Sequence, residues 1–145
     1  MATQILSIQA LSGVIDKLIA ESAKTDQLIS IMGMQLVSDT KENFQKERDP
    51  DGIPWKPLKR RKGKILQDTG ALRTSVTSKG GKNIDRRGPT FLEWGTNIHY
   101  AKYHQGGTAI IPSRPFLGIG DELSEKLEMI AGDWVEEQIK RALGE

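Results

Sequence analysis

Both histidines of the chain, His99 and His104, fall in one 26-residue stretch from Phe91 to Phe116, together with Trp94, Tyr100, Tyr103, three glycines and two prolines. Imidazole beside phenol is the material of an acid–base centre or a metal site, so this segment is the first place to look for chemistry. The two histidines are five residues apart, not the four that set two imidazoles on one helix face around a metal. Glu93 is the one carboxylate within the stretch, and no nucleophile or carboxylate pair joins it. A lone His–Glu pair on a tight loop is expected to be structural or interfacial, and no catalytic, metal-ligating or cofactor-binding residue is assigned here.

Two other clusters invite chemistry. Asp68-Thr69-Gly70-Ala71 follows Ile65-Leu66, and the D-T-G tripeptide is how aspartic proteases place two aspartates, one per subunit, around a shared proton. Gln67 stands where an apolar residue would precede that aspartate, and the flanking patterns are helical where such a protease would be nearly all β. Asp68 or Thr69 is therefore expected to cap a short helix, with Gly70 near its start. Lys56, Lys59, Arg60, Arg61, Lys62 and Lys64 form a basic run. It could neutralise DNA phosphates through counterion release, meet an acidic face of a neighbouring subunit, or stand as a solvated loop. No helix-turn-helix, zinc finger or aromatic RNA-binding motif accompanies it, so base-specific recognition is not expected. Gly118 and Gly120 make half of a G-x-G-x-x-G without a strand–helix crossover and say nothing about nucleotides.

The elements that must carry these residues read as α+β: N-terminal helices, a small antiparallel sheet and a long C-terminal amphipathic helix. Residues 1–48 are expected to be helical. Leu11, Val14, Ile15, Leu18 and Ile19 make one apolar stripe, and Ile29, Met32, Leu36 and Phe44 make a second after a break near residues 22–24, with Thr25 or Asp26 as its N-cap. Gly33 weakens that helix but would let a neighbour approach closely. Asp49-Pro50-Asp51-Gly52 is a stop and a turn. Residues 49–67 read as a basic, Pro/Gly-rich loop with only Trp55, Leu58, Ile65 and Leu66 to bury. Residues 68–118 should hold a small sheet and a short helix: one turn near 69–75, a strand near 75–78, a polar connection from Lys79 to about Pro89, a strand over 90–94, and a helix over Tyr100–Gln105 ended by Gly106 and Gly107. Arg114-Pro115-Phe116 enforces an extended entry to the last helix. That helix, over 120–143, carries Leu123, Leu127, Ala131, Val135, Ile139 and Leu143 at successive i+4 steps, with Lys140 and Arg141 at its C-terminal end as the dipole favours.

At 145 residues, 37% of them hydrophobic, the chain has material for one core and one domain, 1–145. It has no cysteine, hence no disulfide or thiolate metal site. No segment reads as a signal peptide or membrane span, and a cytoplasmic protein fits. The net charge of +2 conceals segregation: residues 1–50 carry −2, residues 51–120 carry +9 from 13 basic and four acidic side chains, and residues 121–145 carry −5. Such a division suits a surface that meets phosphate or the acidic face of another subunit.

The order W-K-P-L, a basic spacer, L-Q-D-T-G-A-L-R-T-S, W-G-T, Y-A-x-Y-H-Q-x-G and I-P-x-R-P-F-L-G, spread from Trp55 to Gly118 over almost half the chain, resembles the phage virion morphogenesis family. These are tail-completion or neck proteins of long-tailed bacteriophages and prophages, including the Mu-like type. The resemblance implies a non-enzymatic building block of the virion without cofactor. It would act at the head–tail junction as a homo-oligomeric ring, beside other neck and tail proteins and with DNA passing through its lumen, and would reside in the host cytoplasm during assembly. The family carries no catalytic residues onto this sequence. Trp94, Gly95, Tyr100, Ala101, His104, Gln105, Gly107, Arg114, Pro115 and Phe116 match its motif and are expected to define the fold or an interface.

Overall fold

The computed structural model describes residues 13, 15–17, 19–20 and 24–145. Of the first apolar stripe, Ile15 and Ile19 are helical and exposed, while Leu11, Val14 and Leu18 lie outside the described residues. The second stripe forms α1, Asp26–Lys46. Thr25 occupies its N-cap but makes no side-chain cap; its hydroxyl donates instead to the carbonyl of Pro89. Gly33 is buried under the Arg87 guanidinium, which lies 3.1 Å from where a Cβ would stand, so the missing side chain does admit a neighbour. The helix ends at Glu47, whose left-handed backbone (φ 53°) turns the chain into Asp49. There the Asp49 carboxylate accepts from the amides of Asp51 and Ile53 at 2.9 and 2.8 Å, fixing the turn.

The loop that follows is basic on its outside and apolar beneath. Trp55, Ile65 and Leu66 are buried, and together with Phe44, Leu72, Val76, Ala101 and Phe116 they make the core. Phe44 is its hub, with the Trp55 ring edge-on at 5.3 Å and the Phe116 ring at 6.0 Å.

Helix α2 runs Ala71–Thr77 directly after the D-T-G tripeptide. This corrects the strand expected near 75–78. The β-branched Val76 and Thr77 favour strand locally, but Leu72 and Val76 at i, i+4 both bury on the core side of a helix. The Ser75 and Thr77 hydroxyls bond back to the carbonyls of Leu72 and Arg73 at 2.7 and 2.8 Å. The strand that completes the hairpin lies later. β1 is Asn83–Arg87, within the segment expected to be a polar connection, and it pairs antiparallel with β2, Leu92–Thr96, with Asn83 opposite Thr96 and Arg87 opposite Leu92. Its five residues contain a single apolar side chain, Ile84, so no alternation marks it. Cross-strand charge supports the pairing instead, with Arg86 3.3 Å from Glu93.

Helix α3, Ala101–Gly106, and helix α4, Asp121–Leu143, complete the fold. Helix α4 lies antiparallel to α1, joined by Lys126 to Asp39 (3.8 Å) and by Glu122 to Arg48 (3.5 Å). The expected i+4 row does not stay buried along it. At 3.6 residues per turn such a row turns by about 40° per step, so five steps carry it about 200° around the axis. Leu123 is therefore in the core, whereas Val135, Ile139 and Leu143 are exposed, and Gln138 and Ala142 take the buried positions near the C-terminus. The architecture is α+β, with a two-stranded antiparallel sheet and a long closing helix.

Candidate functional site: a clamp and the cavity beside it

Helix α3 exists to hold the segment that follows it. Its Gln105 side chain acts as a backbone mimic: Oε1 accepts from the amides of Phe116 (3.1 Å) and Leu117 (3.2 Å), and Nε2 donates to the Leu117 carbonyl at 2.6 Å. The Arg114 amide donates to the His104 carbonyl at 2.7 Å, and the Ser113 hydroxyl to the Gln105 carbonyl at 3.0 Å. Gly107 makes this return possible, because its φ of +74° suits glycine and a Cβ there would sit 2.8 Å from the Ser113 nitrogen. The far side of the segment is tied to the basic loop. Trp55 Nε1 donates to the Pro115 carbonyl at 2.7 Å, while Arg114 Nε and Nη2 donate to the carbonyls of Lys56 (2.7 Å) and Pro57 (2.9 Å).

His104, Gln105, Gly107 and Arg114 thus act together to fix the backbone of 113–117 between α3 and the start of the loop. Phe116 and Ala101 contribute core surface to the same clamp, and Trp94 pins β2 to α2 through a 2.8 Å bond from Nε1 to the Val76 carbonyl. Gly95 pairs with Ile84 in the hairpin, and its carbonyl accepts from Asn83 Nδ2 at 3.1 Å.

Beside the clamp is a cavity of about 320 Å³ that collects residues from all three clusters singled out in the sequence: Arg61 of the basic run, Asp68 to Ala71 of the D-T-G segment, and Tyr100, His104 and Arg114 of the motif. The Tyr100 ring stands edge-on to His104 at 6.0 Å. Burial, and then the positive charge of Arg114, depress the His104 pKa below its usual 6.5, so the imidazole is neutral at neutral pH. Its Nδ1 is buried without a hydrogen-bond partner. Arg61 donates to the Lys64 carbonyl at 2.9 Å and reaches Asp68 only at 4.0 Å.

The other members of these clusters do not converge. His99 is exposed and stands edge-on to Tyr100 (ring centroids 5.4 Å), away from the cavity lining. Glu93 pairs with Arg86 rather than with an imidazole. Asp68 is solvent-facing, and neither it nor Thr69 caps α2 as expected. Gly70, in a left-handed conformation (φ +78°), is the N-cap and no side chain caps it, while Thr69 Oγ1 accepts only from the Ala71 amide at 3.3 Å. Lys56, Lys59, Arg60, Lys62 and Lys64 are exposed, and among the described residues no carboxylate pairs with them. The sequence did not single out Asp39, Glu42 and Glu122, whose carboxylates lie within 4.8 Å of one another. Lys126 and Arg48 bridge all three, so they stitch α1 to α4. Burial, partly offset by Lys126, raises the pKa of Asp39 within that network.

The fold and this arrangement define a small α+β module in which the chemically distinctive side chains organise backbone and cationic surface. Its family is known: the chain belongs to the phage virion morphogenesis family, whose model matches residues 6–136. Two similar proteins are the Mu-like prophage FluMu G protein 1 and G protein 2 of Haemophilus influenzae. The first is 31% identical over 98 residues, covering 62% of this chain and 66% of that protein, just under two thirds of its length. The second is 32% identical over 121 residues, covering 79% and 80%. No solved structure matches. Membership makes this a bacteriophage virion morphogenesis protein, associated with the virion, and among the described residues no helix is long and apolar enough to cross a membrane.

Proposed function

We propose that this chain is a non-enzymatic structural component of the virion that completes the tail or forms part of the neck at the head–tail junction, acting as a homo-oligomeric ring. The observation that carries the reading is charge left unmatched on two parts of one subunit. The five exposed cations of the basic loop have no acidic partner among the described residues, and neither Glu125 nor Glu128 on α4 has a basic one. A ring requires a heterologous contact between two different patches of the same subunit, and opposite unmatched charges supply one. The neighbours in this reading are further copies, other phage neck and tail proteins, and DNA in the lumen, with assembly in the host cytoplasm. Cryo-EM of the parent particle tests it: density for this chain should form a closed ring at the junction. Density confined to the capsid shell or tail fibres would refute the proposal.

The same loop supports a second reading, nonspecific nucleic-acid binding through Lys56, Lys59, Arg60, Arg61, Lys62 and Lys64, of which all but Arg61 have no acidic partner among the described residues. It requires DNA affinity that falls steeply with salt. Absence of salt-dependent binding by the purified protein near physiological ionic strength would remove it.

A further inference from the structure

Arg114 raises a problem that the clamp does not solve. Only 7% of the residue is exposed, and among the described residues no carboxylate pairs with its guanidinium. Two of its nitrogens donate to carbonyls; Nη1 has no acceptor among the described residues. Burial, and then the nearby positive charge of Arg61, lowers its pKa. A buried, unpaired cation facing a second cation is a costly arrangement unless an anion enters between them. The cavity of about 320 Å³ lies where that anion would go, lined by Arg61, Arg114 and His104, whose Nδ1 lacks a partner among the described residues. Asp68 lines it too, but its exposed carboxylate reaches only Arg61, at 4.0 Å, and leaves Arg114 unpaired.

We propose that this cavity is a carboxylate-binding pocket that receives an acidic side chain from the adjacent protein subunit of the assembly. Leu58 and Leu72 on its wall suit the methylene stem of a glutamate, with the carboxylate meeting Arg61, Arg114 and the imidazole. A single carboxylate on an apolar stem suits this cavity better than a duplex backbone, whose phosphates offer nothing to lie against Leu58 and Leu72. A second copy can supply the group, since Glu125 and Glu128 of α4 are exposed and have no basic partner among the described residues. That last step rests on the ring reading; the pocket itself does not.

The test uses the purified full chain in NMR titrations with butyrate, which reproduces a glutamate side chain, and with butyramide, its neutral counterpart. Butyrate should shift the His104 imidazole and the Leu58 and Leu72 methyl resonances with a dissociation constant on the order of 10 mM, as expected for so small a ligand. It should also move the His104 titration upward, because an added negative charge favours the imidazolium. Butyramide should do neither. Arg114→Met removes bonds to Lys56 and Pro57 and could unfold the clamp, so Arg61→Ala carries the mutational arm and should weaken butyrate binding by roughly three- to tenfold. Equal shifts from both ligands, or none from butyrate, overturn the proposal. So does a short DNA duplex that shifts His104 where butyrate does not, which would assign the cations to phosphate. None of these outcomes depends on whether the chain forms a ring.

Discussion

Replacing Gln105 by leucine keeps most of the side-chain volume and removes the amide that holds the segment after α3. Three backbone groups then lose their partner: the amides of Phe116 and Leu117 and the carbonyl of Leu117. Each net hydrogen bond contributes about 1 kcal/mol, and a group left buried without a partner costs about 1–3 kcal/mol. Phe116 is fully buried and Leu117 half-buried, so one group bears the full penalty and the others recover part of theirs from water. The expected loss is about 3 kcal/mol, a large share of the roughly 5–15 kcal/mol that stabilises a domain. For a domain of this size it corresponds to a fall of about 10 °C in Tm. Gln105→Glu retains an acceptor for both amides but sets a carboxylate against the Leu117 carbonyl, so it should fall between wild type and leucine at neutral pH. Differential scanning calorimetry and urea unfolding measure both variants. A loss below about 1 kcal/mol for the leucine variant would show that 113–117 is held by Trp55, the Arg114 side chain and the backbone carbonyls of α3 without the Gln105 amide, and the clamp argument would fail.

Three further outcomes follow from the packing. Leu123→Ala should cost about 2–4 kcal/mol in the monomer by opening a cavity against α1, whereas Ile139→Asp, on the exposed side of the same helix, should change monomer stability by less than about 1 kcal/mol; urea melts compare them. Arg60→Ser should leave Tm within experimental error and Arg61→Ser should lower stability by about 1 kcal/mol, because only Arg61 bonds within the loop. The depressed His104 pKa means the unfolded chain binds more protons than the folded one between the folded value and 6.5. Stability contributed by the neutral imidazole is present above 6.5 and is lost as pH falls toward the folded pKa. His104→Gln should flatten that part of the Tm-versus-pH curve, and an unchanged slope would contradict it.

What the sequence made legible was set by periodicity and backbone punctuation. The existence of helices α1 and α4, the glycines ending α3 and the stop at Asp49 to Gly52 all express local geometry, and these elements stand where the pattern put them. β1 was illegible because Asn83-Ile84-Asp85-Arg86-Arg87 is held by its ladder and cross-strand charge, with no apolar face to reveal it. At Ser75 to Ser78 local β preference lost to the burial of Leu72 and Val76 on one helical face. The outward drift of Val135, Ile139 and Leu143 follows from a 3.6-residue turn, which an i+4 count conceals.

The candidate site was legible in composition but not in shape. The basic run and the D-T-G segment are near neighbours in sequence, but the aromatic motif lies some thirty residues further on, and only the fold brings Tyr100, His104 and Arg114 to one cavity with Arg61 and Asp68. Burial of Arg114 had no local signal, since arginine is ordinarily exposed. Its place in R-P-F, between an extended entry and a core phenylalanine, is the nearest thing to one.

The claim that this protein joins parts of the virion is tested most directly by particles made without it. Electron microscopy of lysates from phage carrying a disrupted copy of the coding sequence should show filled heads and finished tails lying apart, and supplying the intact protein in trans should restore joined particles. Normally joined, infectious virions in its absence would contradict the account.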